Sequence, residues 1–132
     1  MKKSIIKAKF KSDIKKVWEV VTDNSNYSWR SDLSRIEIGK DNLSFIEYTS
    51  KGFPTNFVIT VKKPFERYEF NMSNKNMKGH WIGKFNKIHD GTEIEFIEEV
   101  SVNNPIMNLF AGIYLKKQQK LYINDLKRAL GE

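Results

Sequence analysis

The chain has 132 residues, of which 39% are hydrophobic, 13% aromatic and 30% charged, with a formal net charge of +7 and no cysteine. This length suits one domain, 1–132, with a single hydrophobic core. The lack of cysteine excludes disulfides, thiolate metal sites and cysteine nucleophiles.

The positive charge raises the question of nucleic acid or anionic membranes as partners. Lysines are spread along the whole chain among Asp and Glu, and only four arginines are present. We therefore expect a solvated basic surface, with neither nucleic acid nor an anionic membrane as a partner. No apolar run approaches the roughly 20 residues of a membrane span, and charges interrupt the apolar N-terminal residues, unlike a signal peptide. We expect a cytoplasmic protein without stable membrane insertion.

The first predicted elements are a strand, a helix and a turn. Ile5 to Phe10 alternates between polar and apolar residues and predicts a strand, after which Ser12 or Asp13 can cap a helix. Apolar residues then recur at helical spacing up to Val21. The polar run Asp23 to Asn26 ends that helix, and the following Tyr27-Ser28-Trp29-Arg30 predicts a short turn or second helical piece.

Six further strands follow without an intervening helix. They are predicted at 33–38, 43–49, 55–62, 67–73, 78–88 and 92–100, with turn signals at Asp41-Asn42 and Asp90-Gly91. Because consecutive strands are joined by short turns, the sheet is predicted to be antiparallel.

The last segment predicts a long helix. Asn104 can cap it, Pro105 suits its first position, and it can run to about Leu130. Its apolar face shifts along its length, and Gly112 lies in the first half. This predicts a bend or break between Ala111 and Leu115.

These segments resemble the SRPBCC superfamily, which includes START lipid-transfer domains, birch pollen allergen-like proteins and polyketide cyclase/dehydrase-like proteins. The residues that carry the resemblance are Ile6-Lys7-Ala8 with 13–23, Tyr27 and Trp29, the hairpin around Lys78–Gly83 and Asp90–Ile94, and the closing Tyr114–Leu130. The resemblance implies an α+β helix-grip fold. A curved antiparallel sheet of about seven strands would wrap around a long C-terminal helix, with two short helices after the first strand and a largely apolar pocket inside.

Aromatic and methionine side chains are the candidates for lining that pocket. We predict ligand contacts from Tyr27, Trp29, Phe45, Phe57, Phe70, Met72, Trp81, Phe96, Met107, Phe110 and Tyr114. The alternative is that these side chains simply fill a core. Gly79 and Gly83 flank Trp81 and can either open space in the pocket or relieve strain in a coiled strand.

Few polar residues are predicted to face inward. Glu98 shares the phase of Ile94 and Phe96, and Glu47 that of Phe45. An inward Glu98 is a candidate general acid or base, and a carboxylate at the rim is the alternative. Arg30 and Arg35 can meet an anionic head group or lie on the surface. His80 and His89 form no ligand set, so we predict neither metal nor cofactor.

Three functions are compatible with this pattern. The first is binding, and possibly transport, of a small hydrophobic or aromatic molecule such as a lipid or polyketide, by a monomer or homodimer. The second is a cyclase or dehydratase, which requires Glu98 to meet other polar groups such as Tyr48, Arg35 or His80. The third is a chaperone-binding protein, which shares the superfamily fold. No residue set in the sequence requires an enzyme.

Overall fold

The computed structural model describes residues 1–132, which form seven strands and two helices. In chain order these are β1 (Lys2–Phe10), α1 (Ile14–Thr22), β2 (Leu33–Ile38), β3 (Ser44–Thr49), β4 (Pro54–Lys63), β5 (Arg67–Ser73), β6 (Met77–Ile88), β7 (Gly91–Val102) and α2 (Pro105–Ala129). The α+β helix-grip architecture is confirmed, and every strand lies within three residues of its predicted bounds.

All seven strands form one antiparallel sheet in the order β1-β7-β6-β5-β4-β3-β2. The first two strands of the chain therefore lie at opposite edges, and α1 with the turns after it makes the crossing between them. Irregularities interrupt the register between Leu33 and Arg35 and between Ile59 and Val61. Such bulges bend a strand and increase its twist, which helps the sheet to curl.

The crossing between β1 and β2 contains one helix, not the two that were predicted. Asp13 caps α1 by accepting a hydrogen bond from the Lys16 amide at 3.0 Å. After Asp23 the chain makes only turns, and Arg30 N donates to Tyr27 O at 3.0 Å. Side chains form hydrogen bonds with backbone groups that would otherwise bond within a helix. Asp23 accepts from Ser25 N, and the Trp29 indole donates to Asn26 O.

The closing helix α2 is continuous, so the predicted break near Gly112 is absent. Asn104 caps its start by accepting from the amides of Ile106 and Met107 at 2.9 and 3.3 Å. A Cβ at Gly112 would meet nothing within 4 Å, so this glycine faces open space. The apolar face shifts because the two halves of the helix meet different surroundings.

The first half of α2 exposes a band of large apolar side chains, which we call the apolar arc. Successive positions on a helical wheel place these residues side by side over somewhat less than half of the circumference. The arc consists of Ile106, Met107, Leu109, Phe110, Ile113 and Tyr114, each more than half exposed. The second half instead buries Ile123 and Leu126. Neither helix is long and apolar enough to cross a membrane.

The packed core lies where α1 and the second half of α2 meet the sheet. Val17, Ile94 and Leu126 are completely buried there. Trp18 of α1 lies edge-on to Phe85 of β6, with ring centroids 4.9 Å apart. The close backbone contacts of α2 are with β1, β7 and α1, so strands β3 to β5 curve away from it and leave space.

Candidate functional site

A cavity of about 210 Å³ occupies that space. Thirteen of its 22 lining residues are hydrophobic. Its aromatic members come from five strands and from α2; they are Phe45, Phe57, Tyr68, Phe70, Trp81, Phe96, Tyr114 and Tyr122. Tyr114 also belongs to the exposed arc, so the cavity reaches the surface beside the first half of α2.

The wall formed by β3 to β6 is built from stacked rings. Phe45 and Phe57 are cross-strand partners and stack with centroids 4.7 Å apart and planes 1° from parallel. Phe70 and Trp81 are also partners and stack at 4.8 Å and 3°. Direct pairing across an antiparallel sheet brings such rings together and holds them in fixed orientations. The cavity therefore has a rigid aromatic wall.

Seven of the eleven predicted contact residues line this cavity. They are Phe45, Phe57, Phe70, Met72, Trp81, Phe96 and Tyr114. Met107 and Phe110 do not, because the first half of α2 turns them outward into the apolar arc. Tyr27 lies in the turn before β2 and also does not line it. Trp29 packs against α2, edge-on to Tyr122 at 5.3 Å.

The two glycines beside Trp81 do not open space in the cavity. A Cβ at Gly83 would lie 2.6 Å from the Trp81 ring, and one at Gly79 would lie 2.7 Å from the carbonyl oxygen of Glu99. Both positions are filled by close packing. Gly83 is needed because the indole of Trp81 lies directly over its backbone.

Arg30 is the cation of the cavity, and its guanidinium is hydrogen-bonded to two carboxylates. Its Nε and Nη2 each donate to Asp32 at 3.0 Å, and its Nη1 donates to Glu47 at 3.4 Å. The guanidinium carbon lies 4.8 Å from the ring centroid of Tyr122 and 5.8 Å from that of Trp29. Two carboxylates and two rings thus surround a side chain that the sequence left as a head-group contact or a surface arginine.

Glu98 is a carboxyl group without such a partner. It faces the cavity from β7, where it pairs with Trp81 of β6, and no hydrogen bond from the protein reaches it. Burial raises the pKa of Glu98 to about 7, the negative charge of Glu47 adds to this, and Arg30 opposes it. Near neutral pH its carboxyl can therefore both accept and release a proton.

The other polar groups of the lining fall into two classes. Gln119 is fully engaged: its amide accepts from Ser4 Oγ at 2.7 Å and donates to the carbonyls of Ser4 and Phe96 at 3.0 and 3.3 Å. The Tyr122 hydroxyl, in contrast, has no protein partner, and burial raises its pKa well above the usual range. Burial also raises the pKa of Glu47, which Arg30 only partly opposes.

The partners suggested for Glu98 by the sequence lie elsewhere. Arg35 pairs with Glu37, and its guanidinium lies 3.9 Å from the Tyr48 ring centroid at the edge of the sheet. His80 bonds Asn71 and Glu69 through its two ring nitrogens, at 2.6 and 2.9 Å. None of these side chains lines the cavity. The polar groups that do converge with Glu98 are Arg30, Glu47 and Tyr122. No group of three His, Cys, Asp or Glu side chains is placed to hold a metal ion.

Tyr122 was missed as a member of the site, and Arg30 was left open between a head-group contact and a surface position. Tyr122 shares its face of α2 with the buried Leu115 and Leu126, so helical spacing indicated burial but not a free hydroxyl in a cavity. Arg30 lies in an irregular turn, where neither a period of two nor of 3.6 assigns a direction. Asp32, two residues later, was the available signal of a local ion pair.

Comparison with solved structures identifies the same fold in several proteins. Protein MLL2253 from Mesorhizobium loti matches with a TM-score of 0.81 and 12% identity over 98% of this chain and 97% of its own. The di-domain ARO/CYC BexL from the BE-7585A biosynthetic pathway matches with a TM-score of 0.83 and 8% identity. DynU16 from the dynemicin biosynthetic locus matches with a TM-score of 0.79 and 14% identity. This chain is covered to 99% in both cases and spans about half of each, 47% and 48%.

These likenesses show the fold. No family model matches the sequence. No curated protein sequence matches it either. The helix-grip architecture agrees with the fold that the residues predicted, and its structural neighbours include a di-domain ARO/CYC protein and a protein of the dynemicin biosynthetic locus.

Proposed function

We propose that the protein binds a compact hydrophobic or aromatic molecule in the cavity between α2 and the sheet. The observation that carries this proposal is the cavity itself, which is lined by aromatic rings from five strands and α2. Pockets of this kind, apolar with a few polar groups, are typical ligand sites. Moving an apolar molecule from water onto these rings is favourable by roughly 25 cal/mol per Å² of buried surface.

The size of the cavity restricts the ligand. Its volume of about 210 Å³ is below the roughly 300–1,000 Å³ of sites for drug-sized molecules. A compact molecule of two or three aromatic rings fits this space, whereas a long acyl chain or an extended polyketide would require α2 to move. Parallel stacked rings on one wall also favour a flat guest over a flexible one.

Saturable binding of the neutral dye N-phenyl-1-naphthylamine, followed by its fluorescence, tests the proposal. The variant Leu33→Trp places an indole in the lining at the start of β2. Leu109→Trp makes the same change on the apolar arc, where the side chain is 69% exposed. We expect Leu33→Trp to weaken dye affinity by about tenfold or more, since it fills the space. Leu109→Trp should bind like the unchanged protein.

Two results would contradict binding in the cavity. One is the absence of saturable dye binding. The other is equal loss in both variants, which would indicate that the dye binds on the surface. Native mass spectrometry of protein purified from its own host gives an independent measurement, because a retained guest adds a defined mass that Leu33→Trp should reduce.

A cyclase or dehydratase acting in the same cavity is the second candidate. The observation in its favour is the convergence of Glu98, Arg30 and Tyr122. A carboxyl whose pKa lies near the operating pH suits general acid–base catalysis. Conversion of the 1,5-diketone 2,6-heptanedione to 3-methylcyclohex-2-enone and one water in the presence of the protein would support it, provided that Glu98→Gln abolishes turnover while dye affinity is kept. Turnover that survives Glu98→Gln would reject Glu98 as its catalyst.

A further inference from the structure

The charge inventory of the cavity restricts its guest beyond size and shape. Four lining side chains carry charge or can do so: Arg30, Asp32, Glu47 and Glu98. Three of them are carboxyl groups and one is a guanidinium. A guest that enters the cavity therefore meets an excess of acidic groups, even though the whole chain carries a net charge of +7.

The single cation is already paired with two carboxylates. Three of the five N–H donors of Arg30 are directed to Asp32 and Glu47, and its faces lie against the rings of Tyr122 and Trp29. A carboxylate or phosphate on the guest could reach only the two remaining N–H groups. It would add a third negative charge around one buried cation, which is costly.

The carboxyl groups that retain acceptor capacity favour a donor on the guest, whereas the Tyr122 hydroxyl can either donate or accept. Glu98 has no protein partner, and neither does the Tyr122 hydroxyl. Glu47 uses one oxygen for Arg30 and has further acceptor capacity. A hydroxyl or ammonium group can donate to these oxygens, whereas a carboxylate cannot and adds like charge to the same space.

We propose that the cavity selects its guest by charge, taking compact aromatic molecules that bear a hydroxyl or amino group and rejecting carboxylates and phosphates, with Glu98 as the group that receives the donor. This inference rests on the proposed binding function. It assigns a specificity role to Glu98 whether or not a reaction follows.

Four naphthalenes of nearly equal size provide the test: 1-methylnaphthalene, 1-naphthylmethanol, 1-naphthylmethylamine and 1-naphthoate. Their affinities are measured by displacement of N-phenyl-1-naphthylamine at about pH 8, above the pKa of Glu98 of about 7. We expect the alcohol and the amine to bind about tenfold or more tighter than the carboxylate. Glu98→Gln should weaken the amine and strengthen the carboxylate. The matched control is Glu99→Gln, on the next residue, whose carboxylate pairs with Lys3, and it should change neither.

The outcomes distinguish a failure of charge selection from a failure of the proposed binding function. If none of the four compounds displaces the dye, the binding function itself fails. If all four bind alike, or the carboxylate binds best, the cavity binds guests but does not select by charge. If the ranking holds and Glu98→Gln leaves it unchanged, Glu98 is not the selecting group. The ranking in the unchanged protein is decisive even if the variant does not fold.

A second inference rests on a different feature, the apolar arc of α2. Residues 105–115 contain no charge, and the six arc residues are exposed by 52–73%. The same side of the helix then becomes basic, because the exposed Lys117 and Lys120 continue the arc on the helical wheel. An exposed apolar band gains affinity for a membrane interface through its buried area, and lysines beside it add attraction to anionic lipids.

Further lysines surround the start of α2. Asn103, two residues before the helix, donates from its amide group to the Lys75 carbonyl at 3.1 Å, so the β5–β6 turn lies beside the arc. Lys78 follows on β6 and is exposed. Two copies of the chain meeting antiparallel through their arcs would bring these lysines against Lys117 of the other copy. An anionic surface accommodates all of them.

We infer that the first half of α2 docks on an anionic membrane surface. Co-sedimentation should show about tenfold or more stronger binding to phosphatidylcholine vesicles containing roughly 30% phosphatidylglycerol than to phosphatidylcholine alone. The triple variant Leu109→Ser/Phe110→Ser/Ile113→Ser should lose this binding. Phe53→Ser/Val58→Ser, which removes exposed apolar side chains elsewhere, should keep it.

The inference is overturned if the protein does not bind anionic vesicles, or if the triple variant binds them as well as the control does. A concentration-dependent dimer in light scattering that the triple variant abolishes would also overturn it, because the arc would then be covered by a second copy.

Discussion

The two halves of α2 belong to one continuous helix but have opposite environments. The end of the second half buries Ile123 and Leu126 in the core shared by α1 and the sheet. The first half exposes the apolar arc, and the cavity with its unpaired carboxyl lies under the middle of the helix, lined by residues from Tyr114 to Tyr122. The difference indicates that stability is concentrated at one end, which leaves the other end free to keep space and exposed apolar surface.

The most severe disruption expected is Leu126→Ala. This side chain is completely buried, so its truncation should lower the free energy of unfolding by about 2–5 kcal/mol. Leu109→Ala removes the same atoms from a side chain that is 69% exposed. It should change the free energy of unfolding by about 0.5 kcal/mol or less. Urea denaturation of both variants measures the contrast. Similar losses would show that the two halves contribute equally.

Glu98→Gln should act in the opposite direction and stabilise the protein at neutral pH. The folded-state pKa of about 7 lies above the ordinary 4.5, so between these values the unfolded chain binds fewer protons. Stability therefore falls as pH rises from about 4.5 to 7 and is lower above that window by on the order of 3 kcal/mol. Glu98→Gln has no carboxyl to titrate at this position, so its stability should not fall over this pH range.

The measurement is the difference in unfolding free energy between the unchanged protein and Glu98→Gln across that pH range. Taking the difference removes the contribution of other titrating groups. Glu99→Gln, whose carboxylate is outside the cavity, should show no such pH-dependent difference. A difference that is constant with pH would contradict the raised pKa of Glu98.

Asp125→Asn should destabilise the packed half by about 1–3 kcal/mol at neutral pH. Asp125 is 1% exposed and accepts from Ser31 N and Oγ and from Arg128 Nη2, each at 2.8 Å. Burial opposes its ionisation, but these hydrogen bonds outweigh that and lower the pKa of Asp125. Its contribution is therefore present above the ordinary pKa of 3.8 and is lost as pH falls through the lower folded value.

Denaturation of Asp125→Asn at neutral and at acidic pH tests this sign, because the deficit should shrink in acid. Asp90→Asn is the control, since Asp90 is exposed in a turn where Asn-Gly serves as well as Asp-Gly. A deficit that persists unchanged in acid would show that the loss comes from packing and not from the charge.

The smallest expected effect is that of Gly112→Ala. The added methyl meets nothing within 4 Å, and alanine favours the helix over glycine by about 0.5–1 kcal/mol. The variant should therefore be slightly more stable in urea, with dye affinity unchanged. A weaker dye affinity would show that α2 must flex at Gly112 for a guest to enter.

The strands were predictable because each carries its own signal. Alternation assigns inward residues such as Phe57 and Trp81 without knowledge of the neighbouring strands, and Asp90-Gly91 fixes the last hairpin. The same rule turned Glu98 and Glu47 inward. Where no period exists, as in the turn that contains Arg30 and Asp32, the sequence offered no direction, and the buried ion pair became visible only in the structure.

Helix α2 shows a second limit of prediction from the sequence. Its length and cap were predictable from Asn104 and Pro105, but apolar residues at its start indicated only a preference for burial. Whether Phe110 and Met107 reach the sheet depends on how far the strands curve away from α2. That curvature turned two predicted contact residues into exposed ones and brought Tyr122 over the cavity.

Local periodicity and turn chemistry were enough to predict the seven strands, their antiparallel pairing, the first helix and the closing helix, but not the turns that replace the second short helix. The tertiary structure alone decided which inward residues enclose space and which fill it, and which charges meet. Arg30 lies on a turn, Glu47 on β3 and Glu98 on β7, and only the closed sheet brings them into one cavity. Distances between such segments depend on sheet curvature, which is a property of all seven strands together.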